Sequence, residues 1–342
     1  MAVSEDTMRA SVGVHPRHQD EAVAWWLVAP GRGELRDEPL PARGSGDATV
    51  RTLWTGISRG TETLVARGAV PASERERMRA PHQAGEFPFP VKYGYLLVGV
   101  VEAGPPALRD RTVFGLFPHQ SRLVAPVETL VPVPDGVPAR RAVLAGAAET
   151  AVNVLWDASP LIGDRITVIG AGMIGCAIGL AARGIPGVAV TLVDADEAKA
   201  PVADALGVGF ATASDAVPAA DVVIEASGDV AGLQLALRLA ATDGEVIVAS
   251  WYAGAATLEL GGDFHSRRLS VRTSQVGAVA TSRRARRTTR DRLELALRLL
   301  ADPDWDVLLG GASAWRELPE VAAALADGTA GGLCHTIDWS AA

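Results

Sequence analysis

Cysteine and lysine are almost missing from this sequence of 342 residues. The two cysteines, Cys176 and Cys334, lie far apart and in no spacing typical of metal ligands. A disulfide framework and a zinc site built from cysteines are therefore not expected. Only two of the 32 basic residues are lysines, Lys92 and Lys199, and this scarcity draws attention to Lys92 beside a candidate tyrosine described below.

Net positive charge is also lacking. The formal net charge is −8, which gives a nucleic-acid partner no overall electrostatic support. The basic run 283–290 is the local exception, and because an amphipathic pattern follows it, we interpret it as the solvated start of a helix. The first twenty residues hold no apolar run long enough for export or anchoring. We expect a flexible tail over 1–20 and a cytoplasmic protein without a membrane partner.

Length and composition indicate a globular chain with more than one core. Hydrophobic residues make up 48% and charged residues 21%, which is typical of folded proteins that are neither disordered nor membrane-bound. A chain of 342 residues is too long for one ordinary core, so two domains are expected.

The clearest local pattern is a strand, a glycine-rich turn, a helix and a second strand in succession. Residues 165–169 are apolar and β-branched, as in a buried parallel strand, and residues 176–182 have a helical pattern. A second apolar run, 188–193, ends at Asp194. This order predicts a Rossmann unit that binds a dinucleotide. The turn consists of Gly170, Ala171, Gly172, Met173, Ile174 and Gly175.

Each part of this unit has a physical role in binding. Gly170 permits the tight turn, Gly172 lets the backbone approach a pyrophosphate, and Gly175 lets the helix pack closely on the strand. The helix start at Met173 and Ile174 supplies free N–H donors to the phosphates. Asp194 is placed to accept from the adenosine ribose hydroxyls, and no arginine follows it to meet a 2′-phosphate, so NAD(H) is favoured over NADP(H).

The alternation of strands and helices continues beyond this unit. Runs 221–225 and 244–249 are apolar strands with small or polar residues after them. Ligands of open α/β sheets bind outside the carboxyl ends of the strands, so these following residues are candidate neighbours of the cofactor, with ordinary packing at a strand end as the alternative. They are Ser227, Gly228, Ser250 and Trp251.

The region 21–135 differs, because it is rich in proline and glycine and contains short β-like runs. Such runs occur at 22–28, 50–53, 96–102 and 122–124 and favour a small, irregular, barrel-like β domain. Residues 334–337 read as a strand that rejoins this domain after the Rossmann segment.

Three motifs carry a resemblance to a known family: Gly-Ile-Ser-Arg-Gly-Thr-Glu at 56–62, Tyr-Gly-Tyr-Leu-Leu-Val-Gly at 93–99, and a Thr-Ala-x-x-x-Leu helix within 149–158. With the domain order, they resemble the medium-chain dehydrogenase/reductase superfamily, which includes zinc alcohol dehydrogenases. The resemblance implies an α/β protein with a GroES-like β-rich catalytic domain over 21–140 and 300–342 and a Rossmann domain, a doubly wound parallel sheet, over 141–299. It also implies a homodimer formed through the edge of the Rossmann sheet.

The departures from the zinc-dependent pattern bear on the chemistry. Ser58 stands where those members have a metal-binding cysteine, and Tyr95 stands where they have a metal-binding histidine. The third ligand position falls on Gly146 or Glu149, depending on the alignment. Since a catalytic zinc needs three protein ligands and an open position, and the four-cysteine lobe for structural zinc is missing, the resemblance implies a member without zinc.

Without zinc, other donors must face the oxyanion that forms on the substrate. The resemblance places Ser58 and Tyr95 in the cleft, and a cation such as Lys92 would lower the pKa of a tyrosine. The alternative for Lys92 is a solvated loop lysine, and the alternative for His119 is a surface or turn histidine. The other candidate catalytic groups are Glu62, His119 and Glu149, and the candidate for the cofactor pyrophosphate is Arg59.

Other polar residues are less central. Ser274 and Gln275 follow a late strand and are expected to border the nicotinamide, while Gln120 adds to the polar cleft. His265, with Arg267 and Arg268, is interpreted as part of a polar turn.

The function we expect is zinc-independent, NAD(H)-dependent interconversion of a secondary alcohol and a ketone on a polar small molecule. An enone or quinone reductase is a second hypothesis. Asp194 argues against it, because such relatives more often use NADPH and Asp194 favours NAD(H). A non-catalytic NAD(H)-binding protein is a third. Zinc-dependent catalysis through an unusual ligand set is a fourth, and it requires metal that survives purification.

Overall fold

The structure is a computed structural model that describes residues 20–252 and 255–342, so the predicted tail lies, apart from Asp20, outside the described residues. In chain order the strands are β1 (Glu21–Ala29), β2 (Arg32–Pro39), β3 (Asp47–Ser58), β4 (Ala84–Gly85), β5 (Val91–Lys92), β6 (Leu97–Ala103), β7 (Thr112–Gly115), β8 (Arg122–Pro126), β9 (Val131–Pro132), β10 (Arg165–Ile169), β11 (Ala189–Val193), β12 (Gly209–Ala211), β13 (Ala220–Glu225), β14 (Ala240–Val248), β15 (Ser270–Thr273), β16 (Leu309–Ala314) and β17 (Cys334–Asp338).

The α-helices among the described residues are α1 (Arg59–Ala66), α2 (Ala139–Ala142), α3 (Ala145–Ala158), α4 (Met173–Ala182), α5 (Ala200–Ala205), α6 (Val230–Leu239), α7 (Thr289–Leu299) and α8 (Leu318–Asp327). Short helical turns cover 72–74, 127–129, 197–199, 260–264, 303–308 and 315–317. No helix in these ranges is long and apolar enough to cross a membrane.

Six parallel strands form the sheet that the glycine motif predicts. Their order is β12-β11-β10-β13-β14-β15, so the chain moves outward in one direction from β10 and then in the other from β13. Apolar side chains cover both faces: α3, α4 and α7 pack on one, and α6 packs on the other. Since helices cover both faces of the sheet, its strands carry apolar residues on both sides. This arrangement confirms the predicted doubly wound architecture.

The remaining strands form two antiparallel or mixed sheets. A four-stranded sheet has the order β2-β1-β5-β4. A larger sheet has the order β16-β17-β3-β6-β7-β9, with β8 paired to β3. β17 lies antiparallel to β3 with Cys334 opposite Ser58, so the C-terminal segment returns to the β-rich part of the chain beside a candidate site residue. The fold class expected from the sequence, a β-rich domain with a Rossmann domain, is confirmed.

The basic run at 283–290 does precede a helix. α7 begins with a capping box, in which Thr288 accepts from the backbone of Asp291 and the Asp291 side chain accepts from the backbone of Thr288. Arg283, Arg284, Arg286 and Arg287 lie in turns before this helix.

A buried ion pair joins α3 to α7. The guanidinium of Arg292, which is 1% exposed, donates to Glu149 Oε1 from Nε at 3.0 Å and from Nη2 at 2.9 Å. Its other hydrogen bonds reach Asn153 Oδ1 and the carbonyls of Val276 and Ala278. Arg292 therefore fixes the segment after β15 against α3. The guanidinium charge is tolerated at this depth because all of its hydrogen-bond partners are acceptors, one of them a carboxylate.

This arrangement predicts the cost of removing one partner. Arg292→Met should lower the free energy of unfolding by about 3 kcal/mol, because it leaves Glu149 buried without its cation. Urea unfolding measures the change, and Arg290→Ala, which removes an exposed arginine two residues away, is the matched control. The double variant Arg292→Met/Glu149→Gln should recover part of the loss. Equal unfolding midpoints for Arg292→Met and the original protein would contradict this reading.

Candidate active site

The glycine turn between β10 and α4 has room for a ligand at its open side. Gly170 has φ +98°, which a side chain rarely adopts, and a Cβ there would lie 2.8 Å from the backbone of Ala226 and Ser227. A Cβ on Gly175 would lie 1.8 Å from the carbonyl oxygen of Gly170. At Gly172 a Cβ would meet nothing within 4 Å. The turn is thus closed toward the protein and open at the helix start, as binding of a pyrophosphate requires.

Met173 and Ile174 form the first turn of α4 and are partly buried against the core below the glycines. Their backbone N–H groups belong to the turn of the helix that has no partner within the helix. The residues of this turn therefore fit a dinucleotide cofactor.

Asp194 lies where β11 ends, next to the glycine turn. Its Oδ2 accepts a hydrogen bond of 2.7 Å from the backbone N–H of Ala171, and its Oδ1 accepts one of 2.9 Å from the N–H of Asp196. These bonds fix the carboxylate at the edge of the turn, where it is partly exposed. A carboxylate held here is suited to accept from hydroxyl groups of a ribose and repels an additional phosphate.

The ends of β13 and β14 lie beside the same turn. The backbone of Ala226 and Ser227 approaches Gly170, and a Cβ on Gly228 would lie 3.0 Å from the carbonyl oxygen of Trp251. Ser250 is partly buried and the Trp251 side chain is 45% exposed. The structure thus brings the four predicted strand-end residues to the edge of the sheet that carries the glycine turn.

A chain of buried polar groups occupies the β-rich domain where a zinc site would be expected. His119 is 2% exposed; its Nδ1 lies 2.7 Å from Thr55 Oγ1 and its Nε2 lies 3.0 Å from Glu62 Oε2. Trp339 Nε1 donates to Thr55 Oγ1 at 2.9 Å, and Glu62 Oε1 accepts from the backbone N–H of Ser58 at 2.7 Å. The interpretation of His119 as a turn histidine on the surface is therefore wrong: it is a buried partner of Glu62.

The local backbone explains why His119 fits. Its N–H donates to the carbonyl of Tyr93, which follows β5, and its carbonyl accepts from the N–H of Trp25 in β1, so these two segments hold the residue between them. Gly94 has φ +119°, and a Cβ there would lie 2.7 Å from the imidazole ring. The glycine of the 93–99 motif therefore makes space for His119.

Tyr95 joins this cluster through its hydroxyl, which interacts with the side chains of Ser58 and Thr61. Burial, and after it the nearby negative charge of Glu62, raise the pKa of Tyr95 to about 12, although hydrogen bonds with the two hydroxyl partners oppose the shift. Burial and Glu62 also raise the pKa of Cys334 to about 12. The Tyr95 hydroxyl therefore keeps its proton and is a hydrogen-bond donor at neutral pH.

Two candidate catalytic residues have other roles. Lys92 donates to Glu38 Oε2 at 2.7 Å and lies 3.3 Å from Gln120 Oε1. Its charge is paired, and the pKa of Tyr95 is raised, so the hypothesis that a cation lowers it is wrong. Glu149 is bound by Arg292 inside the core between α3 and α7, which corrects its placement among cleft residues. Burial raises the pKa of the Glu149 carboxyl, although Arg292 opposes the shift.

Other predicted residues are held by local contacts. Arg59 donates to the carbonyls of Ala330 at 3.2 Å and Gly332 at 3.3 Å, which ties α1 to the segment before β17.

Ser274 is buried and donates to Asp157 Oδ2 at 2.6 Å, whereas Gln275 accepts from Gly277 N–H. Arg267 donates to the carbonyl of Leu237 in α6 at 2.8 Å and to that of Ala240, the first residue of β14, at 2.6 Å, so the turn around His265 has a structural role.

The positions aligned with zinc ligands do not present a zinc donor set. Ser58 and Tyr95 offer hydroxyl groups, Glu149 is bound to Arg292, and a Cβ on Gly146 would lie 2.4 Å from Leu96 Cδ2. Over the described ranges, no group of three or more His, Cys, Asp and Glu side chains is arranged to hold a metal ion. Tetrahedral zinc in proteins prefers thiolate, imidazole and carboxylate ligands, so these residues do not fit the group.

Sequence reasoning missed several residues of the site. Thr55, Thr61 and Trp339 belong to the polar cluster, and Glu225 is a fully buried carboxylate behind Ser227. Thr61 stands within a recognised motif, and Glu225 stands at a strand end, where an acid among apolar residues is a usable signal. Thr55 and Trp339 are 284 positions apart and have no such signal.

Comparisons with known proteins agree with this architecture. No family model and no curated protein matches the chain. Among solved structures, L-idonate 5-dehydrogenase of Escherichia coli K-12 superposes with a TM-score of 0.77 at 14% identity, over 93% of this chain and 98% of that one. Acetophenone reductase of Geotrichum candidum in complex with NAD gives a TM-score of 0.74 at 17% identity, over 94% and 98%.

A third match is a dehydrogenase of Sinorhizobium meliloti 1021, described as zinc-binding and bound to NADP. It gives a TM-score of 0.75 at 18% identity, over 94% of this chain and all of that one. Matches with NAD and with NADP show that the fold alone does not select between the two cofactors. At these identities the likeness is one of fold: the chain shares with these structures the architecture of a β-rich domain and a Rossmann domain that its motifs predicted.

Proposed function

We propose that the protein is an NAD(H)-dependent oxidoreductase that interconverts a secondary alcohol and a ketone on a polar small molecule without a catalytic zinc. The observation that carries the proposal is the cluster of Ser58, Thr61, Glu62, Tyr95 and His119, in which hydroxyl donors occupy the positions aligned with zinc ligands. The glycine turn and Asp194 supply the features that a dinucleotide needs. The similar structures with dehydrogenase and reductase names support the same class of reaction.

The cofactor supplies the hydride when bound. Tyr95 then donates a hydrogen bond to the substrate oxygen, a role for which a protonated phenol is suited. Its pKa of about 12 keeps the proton on the hydroxyl at neutral pH until an alkoxide requires it. Ser58 and Thr61 orient the hydroxyl, and the Glu62–His119 pair behind them can hold a proton. The several hydroxyl groups of this cluster favour a polar substrate.

We also propose that the protein acts in the cytoplasm as a homodimer. Cys176 and Cys334 are unpaired and buried, which fits a reducing compartment. β15 is the last strand of the parallel sheet and its residues are largely exposed, so its free edge can pair with a second copy.

The first test of the proposal is a cofactor titration on protein whose metal content is known. NADH and NADPH binding are followed by fluorescence beside elemental analysis for zinc, and turnover is then measured with polar ketones and alcohols. We expect tight NADH binding and turnover that a chelator does not reduce. A full equivalent of zinc together with loss of turnover on chelation would overturn the zinc-free proposal, and NADH binding without turnover of any carbonyl or alcohol would favour a non-catalytic protein.

Removal of the Tyr95 hydroxyl tests the proposed donor. Tyr95→Phe should lower turnover by about a hundredfold, since the forming oxyanion loses a donor, while the Kd for NADH stays unchanged. Steady-state kinetics and a fluorescence titration on the same preparation separate the two effects. Tyr93→Phe removes the same atom from the neighbouring ring and is the matched control. Full activity of Tyr95→Phe would reassign the role to Ser58 or Thr61.

Removal of the Asp194 carboxylate tests cofactor choice. Asp194→Ala should weaken NADH binding by about tenfold and reduce discrimination against NADPH, because a ribose acceptor and a charge that repels phosphate are both lost. Asp196→Ala, two residues beyond and exposed, is the control. If both affinities are unaltered in Asp194→Ala, Asp194 does not contact the cofactor.

A further inference from the structure

The Rossmann domain contains a buried carboxylate that the proposed chemistry does not use. Glu225 is the last residue of β13 and is 0% exposed. Its Oε1 accepts from the backbone N–H of Ser227 at 2.7 Å, from the N–H of Gly228 at 3.1 Å and from the Ser227 hydroxyl. Its Oε2 accepts from the hydroxyl of Tyr252 at 2.5 Å. These four hydrogen-bond partners are all donors, so both oxygens of the Glu225 carboxylate act as acceptors.

No arginine, lysine or histidine of the described residues forms an ion pair with Glu225, in contrast to Glu149 and Glu62. The pKa of Tyr252 is raised by burial, by its hydrogen bond to Glu225 and by the charge of that carboxylate, so the tyrosine remains the donor. The negative charge is therefore solvated by dipoles and is not cancelled by a cation. Such a charge acts on its surroundings more strongly inside a protein than in water.

The position of Glu225 in the sheet determines what it can act upon. β10, β11 and β12 form the half that begins with the glycine turn, and β13, β14 and β15 form the other half. In a doubly wound sheet the first half binds the adenosine part of a dinucleotide and the second binds the nicotinamide part. Glu225 lies in the second half, directly beside the point where the strand order reverses, since Ile169 of β10 is its neighbour in register.

We propose that Glu225 is a positioning residue with an electrostatic role: it joins the loops after β13 and β14 and stabilises the oxidised nicotinamide over the reduced one. The oxidised ring carries a positive charge that the reduced ring lacks, so a buried carboxylate in this half of the crevice favours the oxidised form. This inference rests on the proposed use of NAD(H). It concerns the balance between two cofactor states and does not depend on which substrate is used.

Two substitutions in the full chain shift that balance in opposite directions. Glu225→Gln removes the charge and keeps the shape, so the ratio of Kd for NAD⁺ to Kd for NADH should rise by about fivefold. Tyr252→Phe removes one donor and leaves the charge less well solvated, so the same ratio should fall, by about twofold. A merely structural role would weaken both cofactors by the same factor in both variants.

The experiment measures both dissociation constants by calorimetric titration, with thermal unfolding of each variant as a check on folding. Asp229→Asn, which alters an exposed acid next to the same loop, is the matched control and should leave the ratio unchanged. If Glu225→Gln does not fold, Tyr252→Phe alone tests the inference: a lower ratio of Kd for NAD⁺ to Kd for NADH supports it, and an unchanged ratio overturns it. An unchanged ratio in both variants overturns the inference, whereas an original protein that binds neither cofactor overturns the proposed function as well.

Discussion

Burying a carboxylate costs several kcal/mol unless cations or hydrogen-bond donors interact with it. Much of this structure is arranged around three buried carboxylates, each with a different kind of partner. Glu149 is neutralised by Arg292 and joins two helices. Glu62 faces the imidazole of His119. Glu225 has only hydroxyl and amide donors. The three carboxylates therefore differ in the chemical nature of their partners: a guanidinium, an imidazole, and hydroxyl and amide groups.

The Glu62 cluster connects four distant parts of the chain. β3 contributes Thr55 and Ser58, the 93–99 motif contributes Tyr95, the segment before β8 contributes His119, and the C-terminal segment contributes Trp339. Because β17 pairs with β3, the indole of Trp339 reaches Thr55 and completes the buried chain to His119. The C-terminal return of the fold is therefore part of the candidate site. Burial and the negative charge of Glu62 together raise the pKa values of both Tyr95 and Cys334.

The proposed function assigns different roles to the two halves of the candidate site. The Rossmann edge presents backbone N–H groups at an open glycine and a fixed carboxylate, which are features for holding a dinucleotide. The β-rich domain presents hydroxyl donors beside an acid and an imidazole, which are features for proton transfer to a substrate oxygen. Neither set is sufficient for the proposed reaction without the other.

The sequence by itself determined the fold class and the cofactor turn. Their signals are local: a β-branched run, glycines at fixed offsets and an acid after the next strand lie within about thirty residues, and covalent spacing carries them into space. Only the tertiary structure decided which polar side chains meet. In the structure Glu149 is bound by Arg292, Lys92 is paired with Glu38, and His119 is buried beside Glu62. These pairings join residues 54 to 143 positions apart, and the partner of a buried charge is set by packing between elements, which no local pattern encodes.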